Sequence, residues 1–461
     1  MESVAIIGAG ITGLCAGFCL QRNGVPVTVY EANTRVGGVI QTLRENGFLA
    51  EFGPNTILET SPKIAQLVRD AGLQSRRMDP DPKASARFVV RYQRPIAMPG
   101  SAFGFLTTEL FSARAKLAVV CEPFVPARRD GAEETIAEFV IRRLGREFLD
   151  QAIDALVAGI YAGDPARLSV QHAFPKLGQL EEKYGSMIKG QIFGAAERKR
   201  RGEIAKDRAP KFSFDGGLQV LPETLHARLG DAVRLGSTVS SVTQTSGGWE
   251  VRAGGIQQLH RAVIYAGTAH ELSKLRLEGA ASIPDLSAFS EIRYPPVVSV
   301  VLGFRREDVA HSCEGFGMLI PKVEGFKILG TIFSSSLFPN RAPANHLTLT
   351  TYVGGERYPG LASLPPEELY RVVAEDLRVL LGVRGQPVFK HCVYYPRAIP
   401  QYNVGYGRFK KLMDEVERQA PGFFFAGHYR DGVSLGDSIV SGVNIAGRVG
   451  KFSTPVSVSA T

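Results

Sequence analysis

The sequence predicts an α/β fold: a parallel sheet assembled from separated parts of the chain, interrupted by one α+β insertion and one helical insertion. Three observations predict it. Residues 3–31 run strand, glycine turn, helix, strand, acid. Short apolar runs recur at 262–267 and 422–427, so the sheet draws on distant segments. Between these lie two stretches of other character, 100–193 with helical period and 293–353 with short alternating runs. Composition agrees. With 461 residues, 44% hydrophobic and 21% charged, the chain can bury a sizeable core, which excludes a disordered chain. The 50 glycines lack a triplet period, which excludes collagen.

The elements follow in order. Residues 3–7 form a buried strand, and Gly8-Ala9-Gly10-Ile11-Thr12-Gly13 follows at once. Gly8 permits the tight turn, Gly10 lets backbone approach a pyrophosphate, and Gly13 lets the helix pack on the strand. The helix N-terminus favours phosphate charge. Val25 to Tyr30 is the second strand, closed by Glu31, which is placed to hold a ribose hydroxyl pair. This is a Rossmann-like dinucleotide site. Residues 212–221 carry the chain back into that domain. Leu235 to Val242 is a predicted strand in which the Val239 backbone faces adenine, and 247–253 adds a hairpin strand containing Trp249. The run 422–427 ends at Gly427. A loop through Val433, Ser434 and Leu435 then leads into a helix over 437–449, a second strand–loop–helix arrangement suited to an anion or a flavin edge. His428 is expected to be an ordinary loop histidine.

The insertions complete the chain. Residues 84–98 alternate as a strand pair around Tyr92-Gln93. The runs 293–304, 315–320, 326–333 and 347–353 predict an antiparallel sheet. Helices are predicted over 114–120, 134–142 and 147–158. The predicted division is a cofactor domain from 1–82, 210–292 and 392–461, an α+β substrate domain from 83–98 and 293–391, and a helical domain over 99–209.

Charge and cysteine usage narrow the partners. Lys+Arg minus Asp+Glu is 54 − 45 = +9, enough to attract an anionic membrane or small molecule without indicating nucleic acid. Five cysteines without a CxxC pair exclude a disulfide scaffold, and Cys15 and Cys19 are expected to be free core thiols in a reducing compartment. No leader segment and no bilayer-length apolar run is visible, so a cytoplasmic chain, peripheral on the membrane at most, is expected. Residues 102–124 carry Phe103, Phe105, Leu106, Leu110, Phe111, Leu117 and Phe124 beside Arg114 and Lys116. That pattern suits an interfacial helix pair or a core-facing one equally. Six basic and three acidic residues fill 197–208, the composition of a solvated linker that could also meet anionic lipid.

Further motifs point to a family. Arg35, Gly37 and Gly38 follow the acid as EAxxRxGG, and Gly53-Pro54-Asn55 forms a later turn. Both resemble the flavin amine oxidase and protoporphyrinogen oxidase superfamily. Residues 315–321, 329–335 and 338–343, with Ala162-Gly163-Asp164-Pro165 and Gly432-Val433-Ser434-Leu435, resemble its oxygen-dependent protoporphyrinogen oxidases over nearly the whole chain. The resemblance implies FAD, held with Arg35 near the diphosphate. No cysteine lies in 422–449, so the attachment is expected to be non-covalent. It implies that Arg87 anchors a substrate propionate, as a planar guanidinium suits a carboxylate, that Phe316 stacks on a pyrrole ring, and that the Ala162-Gly163 turn lies against the macrocycle. It also implies a helical domain that docks on membrane.

The implied reaction is repeated two-electron oxidation of a porphyrinogen in haem biosynthesis, with oxygen as acceptor and hydrogen peroxide as product. No general base and no metal site is expected, because no paired carboxylates or ligand-spaced histidines are present. The expected partners are a porphyrinogen, molecular oxygen, a membrane surface and a second copy of the chain. Coproporphyrinogen III oxidation, amine oxidation and non-catalytic flavin or tetrapyrrole binding are the competing readings.

Overall fold

A computed structural model describes residues 3–200, 209–279 and 283–453. Five parallel strands form the central sheet, in the order Val233–Arg234, Val27–Tyr30, Val4–Ile7, Ala262–Tyr265, Phe423–Phe425. Three separated chain segments therefore supply one sheet. Apart from the half-buried edge pair Val233–Arg234, its strands are almost wholly buried, which is why they read as apolar runs rather than alternating ones. The helix Ile11–Arg22 packs on one face together with the final helix Leu435–Ser453, and Thr12 Oγ1 donates to the Ser438 carbonyl at 3.0 Å.

The inserted sheet has seven strands, in the order Phe389–Tyr395, Val297–Arg305, His346–Gly354, Ile328–Phe333, Gly317–Leu319, Arg87–Arg91, Arg94–Ala97. The hairpin 87–97 turns at Tyr92 and Gln93, both at positive φ. The expectation of an antiparallel sheet fails at one place: Gly317–Leu319 runs parallel to Arg87–Arg91. Residues 87–91 and 317–319 are far apart in sequence, so no hairpin constrains their direction. The edge strand Phe389–Tyr395 also runs past the predicted boundary at 391.

The predicted strand 235–242 begins only at Val239, and a separate short strand precedes the predicted span. Val233–Arg234 lies beside Val27–Tyr30. The chain then turns through Gly236, at φ +63°, and Val239–Thr245 begins a separate four-stranded sheet. Glycine at a left-handed turn permits this break. In the helical insertion, Ala113–Cys121, Ile136–Leu144 and Asp154–Tyr161 are helices, and a π-turn at Leu149–Ile153 lies within the third predicted span. At its centre Arg143 and Glu122 are fully buried and paired. Glu122 also accepts from Ser186 Oγ at 2.5 Å and from the amides of Met187 and Ile188 at 2.9 and 3.2 Å. Those bonds dock the helix Met187–Arg200, whose amides they satisfy, onto the hairpin 102–124. The side chains of the basic run 197–208 lie outside the described residues.

Candidate active site

The first site grows from the glycine turn. Gly8, at φ +104°, bends the chain beneath the 266–267 backbone. A β-carbon on Gly13 would stand 1.9 Å from the Gly8 carbonyl oxygen, so close helix–strand packing requires glycine there. Gly10 differs. Its φ of −67° and ψ of 176° suit any residue, and a β-carbon would meet nothing within 4 Å. Neither backbone nor protein packing therefore demands glycine at 10, whereas a phosphate lying against the backbone would. Glu31 is buried at the end of the second strand. Its Oε2 accepts from the Ala9 amide at 2.7 Å, and its Oε1 from the amide and side chain of Asn33 at 2.9 and 2.7 Å. The carboxylate is thus fixed against the glycine turn, as a ribose-binding acid must be. These residues fit a dinucleotide.

The loops that close this cradle are cross-tied. Arg35 donates to the carbonyls of Val36, Gly38 and Ile40 at 3.3, 2.6 and 3.2 Å. Expected near a diphosphate, it braces the Gly37-Gly38 loop, and Gly37 N–H in turn donates to the Ala9 carbonyl at 2.8 Å. Gly53 crosses beneath Val39, where a β-carbon would stand 2.1 Å from the carbonyl oxygen. At the far end of the chain, Gly427 N–H donates to Ser441 Oγ at 2.9 Å, and Ser441 donates to Asp431 at 2.5 Å. Ser434 and Asp437 cap the last helix reciprocally, at 3.3 and 3.1 Å. The Ser434 amide, expected to face a flavin carbonyl, is therefore turned toward Asp437. Val433 and Leu435 flank that cap. Val239 lies two residues beyond Ser237, whose amide donates to the Glu31 carbonyl at 2.7 Å.

The inserted sheet meets this cradle through residues that sequence reasoning missed. Tyr352 donates its hydroxyl to the Gly53 carbonyl at 2.9 Å and accepts from Asn55 Nδ2 at 2.7 Å. Ser334 Oγ donates to Asn55 Oδ1 at 3.4 Å. Burial raises the Tyr352 phenol above its ordinary range, so it stays protonated. The Tyr352 ring packs against the cluster of Ala158, Ala162, Val297 and Leu329. Tyr352 thus joins the Gly53-Pro54-Asn55 turn to the Ala162 turn. Its contacts span some 300 residues, beyond any local sequence signal.

The predicted substrate residues fall into two groups. Arg87 opens its strand opposite Gly317, and its guanidinium carbon lies 6.0 Å from the centre of the Phe316 ring. The parallel pairing brings these two together. Ala162, in left-handed conformation, ends the helix Asp154–Tyr161, and its carbonyl accepts the Glu356 amide at 2.8 Å. That hydrogen bond ties the turn expected beside the macrocycle to the end of the inserted sheet's strand His346–Gly354. A β-carbon on Gly163 would stand 2.4 Å from Gln401 Oε1, so packing accounts for glycine there. His428 is half-buried, and desolvation followed by the neighbouring His270 lowers it to about 4. It stands 3.4 Å from the Tyr294 hydroxyl.

Comparison with known proteins decides the family. The profile of the flavin containing amine oxidoreductases matches residues 11–450. The chain belongs to that family. Among relatives in this flavin oxidoreductase group, protoporphyrinogen oxidase 2 (chloroplastic/mitochondrial) of Arabidopsis thaliana is 36% identical over 96% of this chain and 93% of its own. Coproporphyrinogen III oxidase of Bacillus subtilis is 28% identical over 96% of both. UDP-galactopyranose mutase, 14% identical over 98% of this chain and 96% of that one, shares the fold at a TM-score of 0.74. A putrescine oxidase, 17% identical over 97% of this chain and 98% of that one, does so at 0.71. The family implies a flavin, and the cradle around Gly10 fits one. The chain is thus a flavin-dependent oxidoreductase.

One further surface stands apart. Phe103, Leu106, Leu117, Val120 and Phe124 on the helical insertion are all more than half exposed, Phe124 at 84%. Leu110 and Phe111, from the same pattern, are instead buried against Val89 and Ala115. No helix among the described residues is long and apolar enough to cross a membrane.

Proposed function

We propose that the chain oxidises protoporphyrinogen IX to protoporphyrin IX with non-covalent FAD, molecular oxygen as acceptor and hydrogen peroxide as product. The observation that carries this reading is the 36% identity, over nearly the full length of both chains, to a protoporphyrinogen oxidase. When bound, the isoalloxazine accepts hydride and passes the electrons to oxygen. The protein's own part is binding and orientation. Gly8, Gly10, Gly13 and the first helix N-terminus take the diphosphate, and Glu31 takes the ribose. Gly37, Gly38, Gly53, Pro54, Asn55, Gly427, Val433 and Leu435 surround the remainder, while Arg35 and Ser434 brace their loops. Arg87 takes a propionate and Phe316 a pyrrole face, with Tyr352 and the Ala162-Gly163 turn beside the macrocycle. No side chain is assigned as general base. His428, at about 4, is too weak a base for proton abstraction near neutrality.

On this reading the cofactor, substrate and helical domains take the divisions read from sequence, with the substrate domain extended to Tyr395. The exposed apolar face around Phe103 and Phe124 is the peripheral membrane contact of a cytoplasmic protein. The 28% identity to a coproporphyrinogen III oxidase supports a second reading, coproporphyrinogen III as substrate. An anaerobic assay separates the readings: each porphyrinogen is added to the FAD-loaded protein while flavin bleaching and porphyrin fluorescence are followed. Bleaching by protoporphyrinogen is expected. Bleaching by coproporphyrinogen alone selects the second reading, and bleaching by neither refutes both.

A further inference from the structure

The motif Phe338-Pro339-Asn340-Arg341-Ala342-Pro343 is distinctive in sequence, and the chemistry above makes no use of it. Its arginine is 1% exposed. The guanidinium donates to Ser213 Oγ at 2.7 Å, to the Phe214 carbonyl at 3.3 Å and to Asn340 Oδ1 at 2.5 Å. It lies 4.9 Å from the Phe338 ring centre and 3.8 Å from Glu51 Oε1. Asn340 donates to the Asp215 carbonyl at 2.6 Å, and Thr348 of the inserted sheet donates to the Arg341 carbonyl at 2.7 Å. One residue thus ties the inserted sheet to the strand Lys211–Phe214 of the cofactor-binding half.

Glu51 is the other end of the tie. It is 3% exposed and immediately precedes the 52–55 turn. Its Oε2 accepts from Thr42 Oγ1 at 2.7 Å and its Oε1 from the Leu218 amide at 2.8 Å. The turn is therefore anchored at both ends, by Glu51 on one side and by the Tyr352–Asn55 pair on the other. We propose that Arg341 is a positioning residue that, through Glu51, sets the flavin-contacting turn against the inserted sheet. This rests on the flavin site proposed above. Burial raises Glu51 to about 7, against the lowering effects of Thr42, Arg341 and the Leu218 amide. Arg44 and Asp215 are the other charged groups acting on Arg341, and the protonated Tyr352 is the other titratable group near Glu51. An ionised Glu51 attracts Arg341 and accepts charge-assisted bonds from Thr42 and the Leu218 amide, whereas a protonated one loses that attraction and weakens those bonds, so the turn loosens as pH falls.

The test measures FAD dissociation from the full-length protein by fluorescence quenching between pH 5.5 and 8.5. Wild type is expected to bind about tenfold more weakly at the acid end, with a midpoint near 7. Glu51→Gln is expected to bind weakly at every pH, with the pH dependence gone. Arg341→Lys, which keeps the charge, is expected to retain the profile, and Arg341→Met to move its midpoint upward. A Glu51→Gln profile that still matches wild type overturns the proposal, and so does wild-type affinity in Arg341→Met. Glu51→Gln is a near-isostere, so it remains informative even where Arg341→Met fails to fold. The readout needs no porphyrinogen. A protein that shows these profiles yet oxidises no porphyrinogen refutes the proposed reaction and leaves the positioning role standing.

Discussion

Gly10→Ala separates a glycine kept for a ligand from one kept for the fold. In the protein alone the new methyl group meets nothing within 4 Å, and the backbone at φ −67° accepts alanine without strain. Two small effects oppose each other. Alanine caps a helix less well than glycine, and it restricts the unfolded chain by about 0.4–1 kcal/mol in favour of folding. Apoprotein stability should therefore change by no more than about 1 kcal/mol, a shift in Tm of only about 2–4 °C or less. The bound state is different. The methyl group occupies the approach of the pyrophosphate, and forced overpacking together with a displaced amide–anion bond costs about 3 kcal/mol, or a hundredfold or more in FAD affinity. Gly13→Ala is the control. Its β-carbon would fall 1.9 Å from the Gly8 carbonyl oxygen, so it should lower the Tm before any ligand is added. The assay is thermal unfolding of stripped protein, followed by titration with FAD. FAD binding by Gly10→Ala within threefold of wild type, or apoprotein that melts more than 10 °C lower, would refute the reasoning.

Three further outcomes are expected. Arg87→Ala should raise KM for the porphyrinogen by about 10- to 100-fold, the value of a charge-assisted hydrogen bond, with flavin content unchanged; unaltered steady-state constants would remove Arg87 from the site. Glu122→Ala leaves the buried Arg143 with Glu181, at 3.0 Å, as its remaining carboxylate and strips Ser186 and the amides of Met187 and Ile188 of their acceptor, so it should cost about 3–5 kcal/mol in urea unfolding, whereas a loss below about 1 kcal/mol would show the network to be dispensable. His428 is lowered from 6.5 to about 4, so the folded state favours the neutral ring. Its contribution is present above pH 6.5 and is lost as pH falls toward 4. Wild type should thus lose about 3 kcal/mol more than His428→Gln across that window, and parallel pH curves would contradict it.

What the sequence revealed, it revealed locally. The glycine turn, Glu31 and the buried strands are legible because spacing within about thirty residues fixes them: Gly8 must turn, Gly13 must pack, and the acid must close the second strand. The hairpin at Tyr92-Gln93 is legible for the same reason. Ser434-Leu435-Gly436-Asp437 is a capping pattern that could have been read and was not. Read so, it assigns the Ser434 amide to Asp437 rather than to a ligand. Tyr352, Ser334 and Arg341 were out of reach. They act on Asn55, Gly53 and Glu51 across nearly three hundred residues, and nothing in the local pattern of a strand or a short helical turn says which loop its polar members will touch. The parallel pairing that places Phe316 beside Arg87 is non-local too.

The discontinuity of the cofactor-binding sheet bears on how the site is assembled. Its last strand, Phe423–Phe425, and its last helix arrive only after the inserted sheet. Yet that helix supplies the Ser438 carbonyl to Thr12 and packs so closely on the first helix that a β-carbon on Gly442 would stand 2.4 Å from the Thr12 carbonyl oxygen. The cradle at Gly8–Gly13 thus lacks its flanking helix until the chain is nearly complete. Contacts of such sequence separation form late because loop closure must precede them. The inserted sheet is by then in place to meet the turn at 53–55 through Tyr352. A ligand spanning both halves binds only the finished arrangement, and it stabilises that arrangement in proportion to the logarithm of its concentration over its dissociation constant. The same few contacts proposed to align a flavin with the inserted sheet would therefore also make the folded state depend on the flavin, and loosening the turn at 51–55 should be felt in both.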